Sequence, residues 1–402
     1  MSEPSILERY ADLIVSVGAN VQPGQVVAVE GAPEAAPLVH AIARLAYERG
    51  ARYVDASYFD PDVKRLRAEL AAEETLGWVP PWLGRRVLEL GELDAARILL
   101  TPGVPPGLLD GIDPARAGKD RLPMVPEIFK VIAERSIAWT ISPYPTVRWA
   151  RVVYPELDDT AALDRLWQDI VHVCRLDEPD PAAAWNARID EIWETARRLD
   201  ALDLDALHFD GPGTDLTVGL FPSSRFAKEG GAAHTRTGTR HVPNLPTEEI
   251  FTTPDPERTE GVVSATKPLD VGGTVLEGLR VRFEGGRAVD VVADANADTL
   301  RARIATDDGA SRLGEVALVD RESRIGKLGR PFFNTLLDEN AASHIALGDG
   351  YEAPIADPAD VPRINTSNVH IDFMIGSDEV TVTGRTKDGR DVVVMRGGAW
   401  QI

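Results

Sequence analysis

Apolar residues in the first half of the chain alternate between helix-like and strand-like patterns. Apolar positions three or four residues apart predict helices over residues 3–19 and 33–49. Short apolar runs predict strands over residues 25–30, 51–56, 96–100 and 137–141. Because helix-length segments separate these runs, we expect a small open parallel sheet flanked by helices.

In the second half of the chain, the apolar runs follow one another after short turns, as antiparallel strands do. Two apolar runs, 278–283 and 288–293, are joined by a Gly-Gly turn and predict a β-hairpin. A further pair is predicted over residues 379–383 and 391–395. This half is therefore expected to be mainly β, with a few helices.

An acidic break with two prolines, residues 177–181, lies between predicted helices at 158–174 and 184–199. We place the domain boundary there. The predicted fold class is α/β plus α+β, with a small parallel α/β domain over residues 1–180 and a larger, mainly β domain over residues 181–402.

Charge and composition narrow the classes of partner. The 402 residues include 43 lysines and arginines against 64 acidic residues, a net charge of −21, which argues against nucleic acid or an anionic membrane surface as partner. The single cysteine excludes an intrachain disulfide and cysteine-based zinc sites. No signal peptide and no apolar stretch of roughly 20 residues is recognised. We expect a soluble cytoplasmic protein whose metal chemistry, if any, uses oxygen ligands and few histidines.

Four segments of the second half place polar residues in apolar surroundings. In the strand-like run 368–375, His370 and Asp372 alternate with apolar residues and share one face, as half of a metal site would. A hydrogen-bonded pair at a sheet edge is the alternative. In the run 313–319, Glu315 lies in an apolar stripe, so its carboxylate needs a cation, a metal or a proton unless the strand is an exposed edge.

One of the other two segments contains a histidine, and the other contains a pair of glutamates. His344 lies in residues 341–347, which we predict as a short helical turn, and Tyr351 follows a Gly-Asp-Gly loop that can return its phenol toward the histidine. A core histidine and a packing tyrosine are the alternative. Glu249 precedes a probable strand at 250–253, where a helix-capping or solvated turn is the ordinary explanation.

Together the four segments offer enough ligands for a pair of divalent cations such as zinc, cobalt or manganese. Two metals bridged by a carboxylate and a water are a recurrent hydrolytic device. The candidate residues are Glu249, Glu315, Glu339, His344, His370 and Asp372, with Tyr351 nearby.

At these segments the chain resembles the M29 family of metallo-aminopeptidases, the thermophilic aminopeptidase group. The stretches that carry the resemblance are 244–254, 312–319, 334–348 and 368–376, and the likeness runs from near residue 5 to about residue 398. It implies a hydrolase of the exopeptidase class that acts on peptides with a free N-terminus. It also implies two divalent metal ions in the C-terminal domain, a lid-like N-terminal domain and a homodimer.

The resemblance also implies roles for the candidate residues. The family's metal ligands fall on Glu249, Glu315, His344, His370 and Asp372, with Glu315 as the bridge. Glu339 matches a site glutamate that is either a ligand or a proton shuttle, and Tyr351 matches the site tyrosine. We expect Glu339 to act as general base and then acid, and Tyr351 to stabilise the oxyanion.

Two other functions compete with this interpretation. His344, His370 and Asp372 alone form the two-histidine, one-carboxylate set of mononuclear iron(II) enzymes, and the M29-like superfamily includes ring-cleaving dioxygenases. The presence of both Glu249 and Glu315 favours two metals. A non-catalytic binding protein is the third alternative, and the retention of every acidic and imidazole position argues against it.

Overall fold

The computed structural model describes residues 5–120, 122–226 and 231–402. The chain divides into two compact units, each built from two segments: the first unit is Met1–Arg188 with Ala232–Thr247, and the second unit is Ile189–Gly231 with Glu248–Ile402. The boundary near residue 180 and the roles assigned to the two domains stay predictions.

Helices dominate the first unit and strands the second. The helices are α1 (Ile6–Leu13), α2 (Ala36–Glu48), α3 (Pro61–Leu70), α4 (Pro81–Glu92), α5 (Pro114–Lys119), α6 (Glu127–Ala133), α7 (Val147–Val153), α8 (Asp159–Val173), α9 (Pro181–Ala201), α10 (Ala297–Ile304) and α11 (Thr335–Glu339). The strands are β1 (Val26–Gly31), β2 (Tyr53–Tyr58), β3 (Ala96–Thr101), β4 (Ala138–Pro143), β5 (Leu204–Gly211), β6 (Thr214–Leu220), β7 (Ala233–His234), β8 (Arg240–His241), β9 (Glu249–Thr252), β10 (Pro254–Ser264), β11 (Leu269–Asp270), β12 (Val275–Leu276), β13 (Arg280–Glu284), β14 (Arg287–Val292), β15 (Leu313–Val319), β16 (His344–Gly348), β17 (His370–Met374), β18 (Thr381–Thr386), β19 (Asp391–Arg396) and β20 (Ala399–Trp400).

The first unit contains the predicted parallel sheet. Its four strands lie in the order β2-β1-β3-β4, and every neighbouring pair is parallel. The predicted helix over residues 3–19 forms as α1 followed by a π-helical turn, Ile14–Gly18. It begins at Ser5, whose hydroxyl accepts from the Glu8 N–H while the Glu8 carboxylate accepts from the Ser5 N–H. The prediction of a mixed α/β fold with a parallel sheet is therefore confirmed.

Two large antiparallel sheets dominate the second unit, which also contains the two-stranded sheet β11-β12. The larger sheet has eight strands in the order β14-β13-β10-β6-β5-β18-β19-β20, and the smaller has four in the order β17-β16-β15-β9. One face of the four-stranded sheet belongs to the same hydrophobic core as the larger sheet. The residues that it contributes are Ile250, Val316, Leu318, Ile345, Leu347 and Phe373. In the part of the chain that the structure describes, no helix is long and apolar enough to cross a bilayer.

The predicted helical turn over residues 341–347 is wrong. His344 begins β16, an inner strand of the four-stranded sheet, and every residue of β16 is buried. The helix before it ends at Glu339. A strand covered on both faces has no polar positions to alternate with its apolar ones. Its continuous apolar run therefore resembles a buried helical turn.

Two glycines let backbone segments approach each other closely at one end of this sheet. A Cβ atom built on Gly314 would lie 2.2 Å from the Asp349 carbonyl oxygen, and one on Gly348, whose φ is +107°, would lie 2.0 Å from the Val369 carbonyl oxygen. Beside Gly314 the pairing of β15 with β16 shifts by one residue, as in a β-bulge. The shift places Glu315 opposite Ala346.

We expect Gly314→Ala to lower the free energy of unfolding by about 1–3 kcal/mol, because the new methyl group would overlap backbone atoms that cannot move independently. Urea unfolding followed by circular dichroism measures the change. Gly77→Ala is the matched control, since a Cβ there meets nothing within 4 Å. Equal stability of the two variants would contradict the close approach.

Candidate metal centre

The face of the four-stranded sheet opposite the hydrophobic core carries the candidate ligands in register. Glu315 on β15 lies opposite Ala346 on β16, and Ala346 lies opposite Asp372 on β17. His344 lies opposite Ala317, further along the same two strands. The small Ala346 side chain between two carboxylates leaves space above the sheet that a larger residue would fill.

Both imidazoles face carboxylates through Nε2. His344 Nε2 lies 3.2 Å from Glu249 Oε2 and 3.7 Å from Glu315 Oε1. His370 Nε2 lies 3.3 Å from Glu315 Oε2 and 3.3 Å from Asp372 Oδ1. Glu315 therefore directs one oxygen to each histidine. Two groups of donor atoms result, Glu249–Glu315–His344 and Glu315–His370–Asp372, each with its atoms within 4.8 Å of one another.

Backbone carbonyls orient both histidines. His344 Nδ1 lies 3.2 Å from the Ala342 oxygen, and His370 Nδ1 lies 2.8 Å from the Asp349 oxygen. Because a carbonyl can only accept, Nδ1 carries the proton in each ring. The Nε2 lone pair is then left for a ligand bond, which is how metal-binding histidines are commonly held.

The pKa values show that this face favours positive charge. Burial lowers the pKa of His344, but its hydrogen bonds to Glu249 and Glu315 outweigh burial and raise the pKa well above its usual value. Burial likewise opposes charge on His370, whose pKa is nevertheless raised well above its usual value by the neighbouring carboxylates of Asp372 and Glu315. A cation bound at either donor group can replace the imidazole proton.

The donor set fits borderline divalent metals. Imidazole nitrogen and carboxylate oxygen are ligands of zinc, cobalt and manganese alike. Burial raises the pKa of Glu315, but hydrogen bonds to His344 and His370 outweigh it, so the net pKa is lowered and the carboxylate is ionised. A buried, ionised carboxylate shared by two imidazoles suits a position between two cations.

Glu339 lies beside the two donor groups at the end of α11. It is 9% exposed and interacts electrostatically with Asp372 and Glu249, and burial, then these charges, raise its pKa well above the usual value. The buried Asn340 amide ties this segment to the start of β9. Its Oδ1 accepts from the Glu248 N–H at 2.6 Å, and its Nδ2 lies 3.5 Å from Glu339 Oε1.

Tyr351 lies where the Gly-Asp-Gly loop returns to the site. Its ring centroid is 5.2 Å from that of His370 and 5.7 Å from that of Phe251, with tilted or edge-on contacts. Burial raises the pKa of its phenol. The hydroxyl therefore keeps its proton at neutral pH and can donate a hydrogen bond.

The structure brings the predicted site residues together from four separate segments, while their individual roles stay predictions. Sequence reasoning missed the groups that orient them. The carbonyls of Ala342 and Asp349 leave no trace in a sequence, because every residue has one. Asn340 looks like an ordinary cap residue, and only its partners reveal what it holds.

Known proteins resemble this chain in sequence and in structure. The sequence profile described as "Thermophilic metalloprotease (M29)" matches residues 4–400. Aminopeptidase T of Thermus thermophilus is 42% identical and Aminopeptidase 2 of Geobacillus stearothermophilus 38% identical, with 98% of this chain covered in both and 98% and 97% of those proteins. The solved structure of wild-type AmpT from Thermus thermophilus matches with a TM-score of 0.88 and 41% identity over 99% of each chain.

These matches confirm the predicted fold class and the prediction of a hydrolase of the exopeptidase class. They do not support the ring-cleaving dioxygenase. A metal-dependent aminopeptidase is the function that the family and the donor groups share. The chain belongs to the M29 family of thermophilic metalloproteases.

Proposed function

We propose that this metal-dependent aminopeptidase removes N-terminal residues from peptides at a centre of two divalent metal ions. The observation that carries the metal number is Glu315, whose two oxygens face different imidazoles and so belong to both donor groups. Glu249, Glu315 and His344 would hold one ion, and Glu315, His370 and Asp372 would hold the other. When bound, such ions lower the pKa of water and polarise a peptide carbonyl.

The chain's own residues move the proton. As a carboxylate, Glu339 accepts a proton from the attacking water and passes it to the leaving amine while the C–N bond breaks. Positive charge at the neighbouring donor groups favours this carboxylate form, because opposite charges lower a carboxyl pKa. Tyr351, protonated, donates to the carbonyl oxygen as negative charge develops there.

The proposal also covers the metal, the oligomeric state, the cellular compartment and the substrate of the enzyme. Zinc, cobalt or manganese suits the donor atoms. The likeness to the family supports a homodimer, and the acidic, cysteine-poor composition supports the cytoplasm. The substrate is a peptide with a free N-terminus, whose positive charge is attracted by a protein of net charge −21.

We expect dialysis against a chelator to abolish hydrolysis of aminoacyl anilides and zinc, cobalt or manganese to restore it. Elemental mass spectrometry of the restored enzyme is expected to find two ions per chain. His370→Ala should lose metal and activity, because it removes a ligand. His208→Ala is the control, since His208 lies on β5 against Thr217, away from both donor groups. One ion per fully active chain, or full activity without metal, would contradict the proposal.

Replacing Glu339 separates the two roles that the sequence leaves open. We expect Glu339→Gln to bind both ions and to lower kcat by about 10²- to 10⁴-fold, because an amide cannot carry the proton. Steady-state kinetics and metal content measure the two effects, with the exposed Glu379→Gln as control. Loss of an ion with a matching loss of activity would make Glu339 a ligand instead.

A further inference from the structure

Two residues, one in the edge strand β9 and one just after its end, contact Tyr351. β9 begins with the ligand Glu249, and the chain continues through Phe251 to Thr253, two and four residues later. Phe251 pairs with Ala317, the residue that also lies opposite His344, so its ring is on the face that carries the site. The strand that supplies a ligand therefore also reaches the site tyrosine.

Thr253 holds the backbone of Tyr351 from both sides. The buried Thr253 hydroxyl accepts from the Tyr351 N–H at 3.2 Å and donates to the Tyr351 carbonyl at 2.7 Å. One hydroxyl thus satisfies both backbone groups of one residue. Buried backbone groups are costly to leave unpaired, so this arrangement fixes where the residue can lie.

The ring of Tyr351 is confined as well. It packs edge-on against Phe251, with the planes at 66°, and tilted against His370 at 55°. The preceding loop has no spare room, because a Cβ on Gly350 would lie 2.9 Å from Ile364 Cγ2 and 3.2 Å from Thr253 Cγ2. The loop, the hydroxyl and the second ring together determine where the phenol points.

We propose that Thr253 and Phe251 are positioning residues for Tyr351. Thr253 fixes the backbone and Phe251 limits rotation of the ring, so that the phenol hydroxyl stays beside His370. The inference rests on the proposed function, in which Tyr351 donates to the developing oxyanion. A displacement of about 1 Å at such a donor can cost up to about 100-fold in rate.

Two substitutions distinguish the contribution of the Thr253 hydroxyl from that of the shape of its side chain. Thr253→Val keeps a methyl group and removes both hydrogen bonds, whereas Thr253→Ser keeps the hydroxyl and removes the methyl group. We expect Val to lower kcat about 10- to 100-fold with little change in KM, and Ser to retain most of the activity. Both variants are expected to bind as much metal as the parent enzyme.

A double-mutant cycle with Tyr351→Phe shows whether the effect passes through the phenol. Once the hydroxyl of Tyr351 is gone, Thr253→Val is expected to cost no further kcat. An equal loss in both backgrounds, or equal losses for Val and Ser, would overturn the positioning role. If Tyr351→Phe itself leaves kcat unchanged, the proposed role of Tyr351 fails, and the positioning role fails with it.

Phe251→Leu provides a second route if Thr253→Val does not fold. Leucine keeps an apolar side chain but loses the edge-on ring contact. We expect a fall in kcat with Tyr351 present and none in the Tyr351→Phe background, with metal content unchanged. The same fall in both backgrounds would overturn the inference.

Discussion

The candidate site in the second unit depends on how the mutual repulsion among its buried carboxylates is offset. Glu249, Glu315, Glu339 and Asp372 lie close enough to affect one another's ionisation. Burying one unpaired carboxylate is costly, and burying several together is tolerable only beside positive charge or with protons bound. The two imidazoles supply part of that charge, and the pKa values of both are raised in consequence. Two dications would supply the rest. Ion binding would therefore also stabilise this face of the sheet.

The backbone around the site makes this concentration of charge geometrically possible. Gly314 and Gly348 allow strands to approach where any side chain would collide, and the resulting shift sets Glu315 opposite a small alanine. Carbonyl groups direct the imidazole nitrogens toward the carboxylates. The opposite face of the same sheet is apolar and packs into the core. Alternation along each strand thus separates a charged face from a hydrophobic one.

How far the sequence predicts this structure depends on whether polar and apolar residues alternate along a strand. His370 and Asp372 alternate with apolar residues, so their strand and their shared face could be predicted. The parallel sheet followed from regularly spaced apolar runs. His344 was placed in a helical turn because the residues around it are buried on both sides of the sheet. The four segments can be grouped by the ligands that they offer, whereas the role of each residue rests on the family resemblance. Their register cannot be predicted, since spacing along the chain does not encode the pairing of distant strands. The hydroxyl of Thr253 and the amide of Asn340 act through partners nearly 100 residues away, which no local pattern reveals.

The order of strands in the four-stranded sheet has a consequence for biosynthesis. Its outer strands, β9 and β17, come from opposite ends of a stretch of more than 100 residues, and the inner strands come from between them. A chain emerging from the ribosome can complete the first donor group only after residue 344 and the second only after residue 372. Until then, the carboxylates that have already been made have no ordered counter-charge. The site can therefore assemble only late in the synthesis of the chain, once the residues of both donor groups are available.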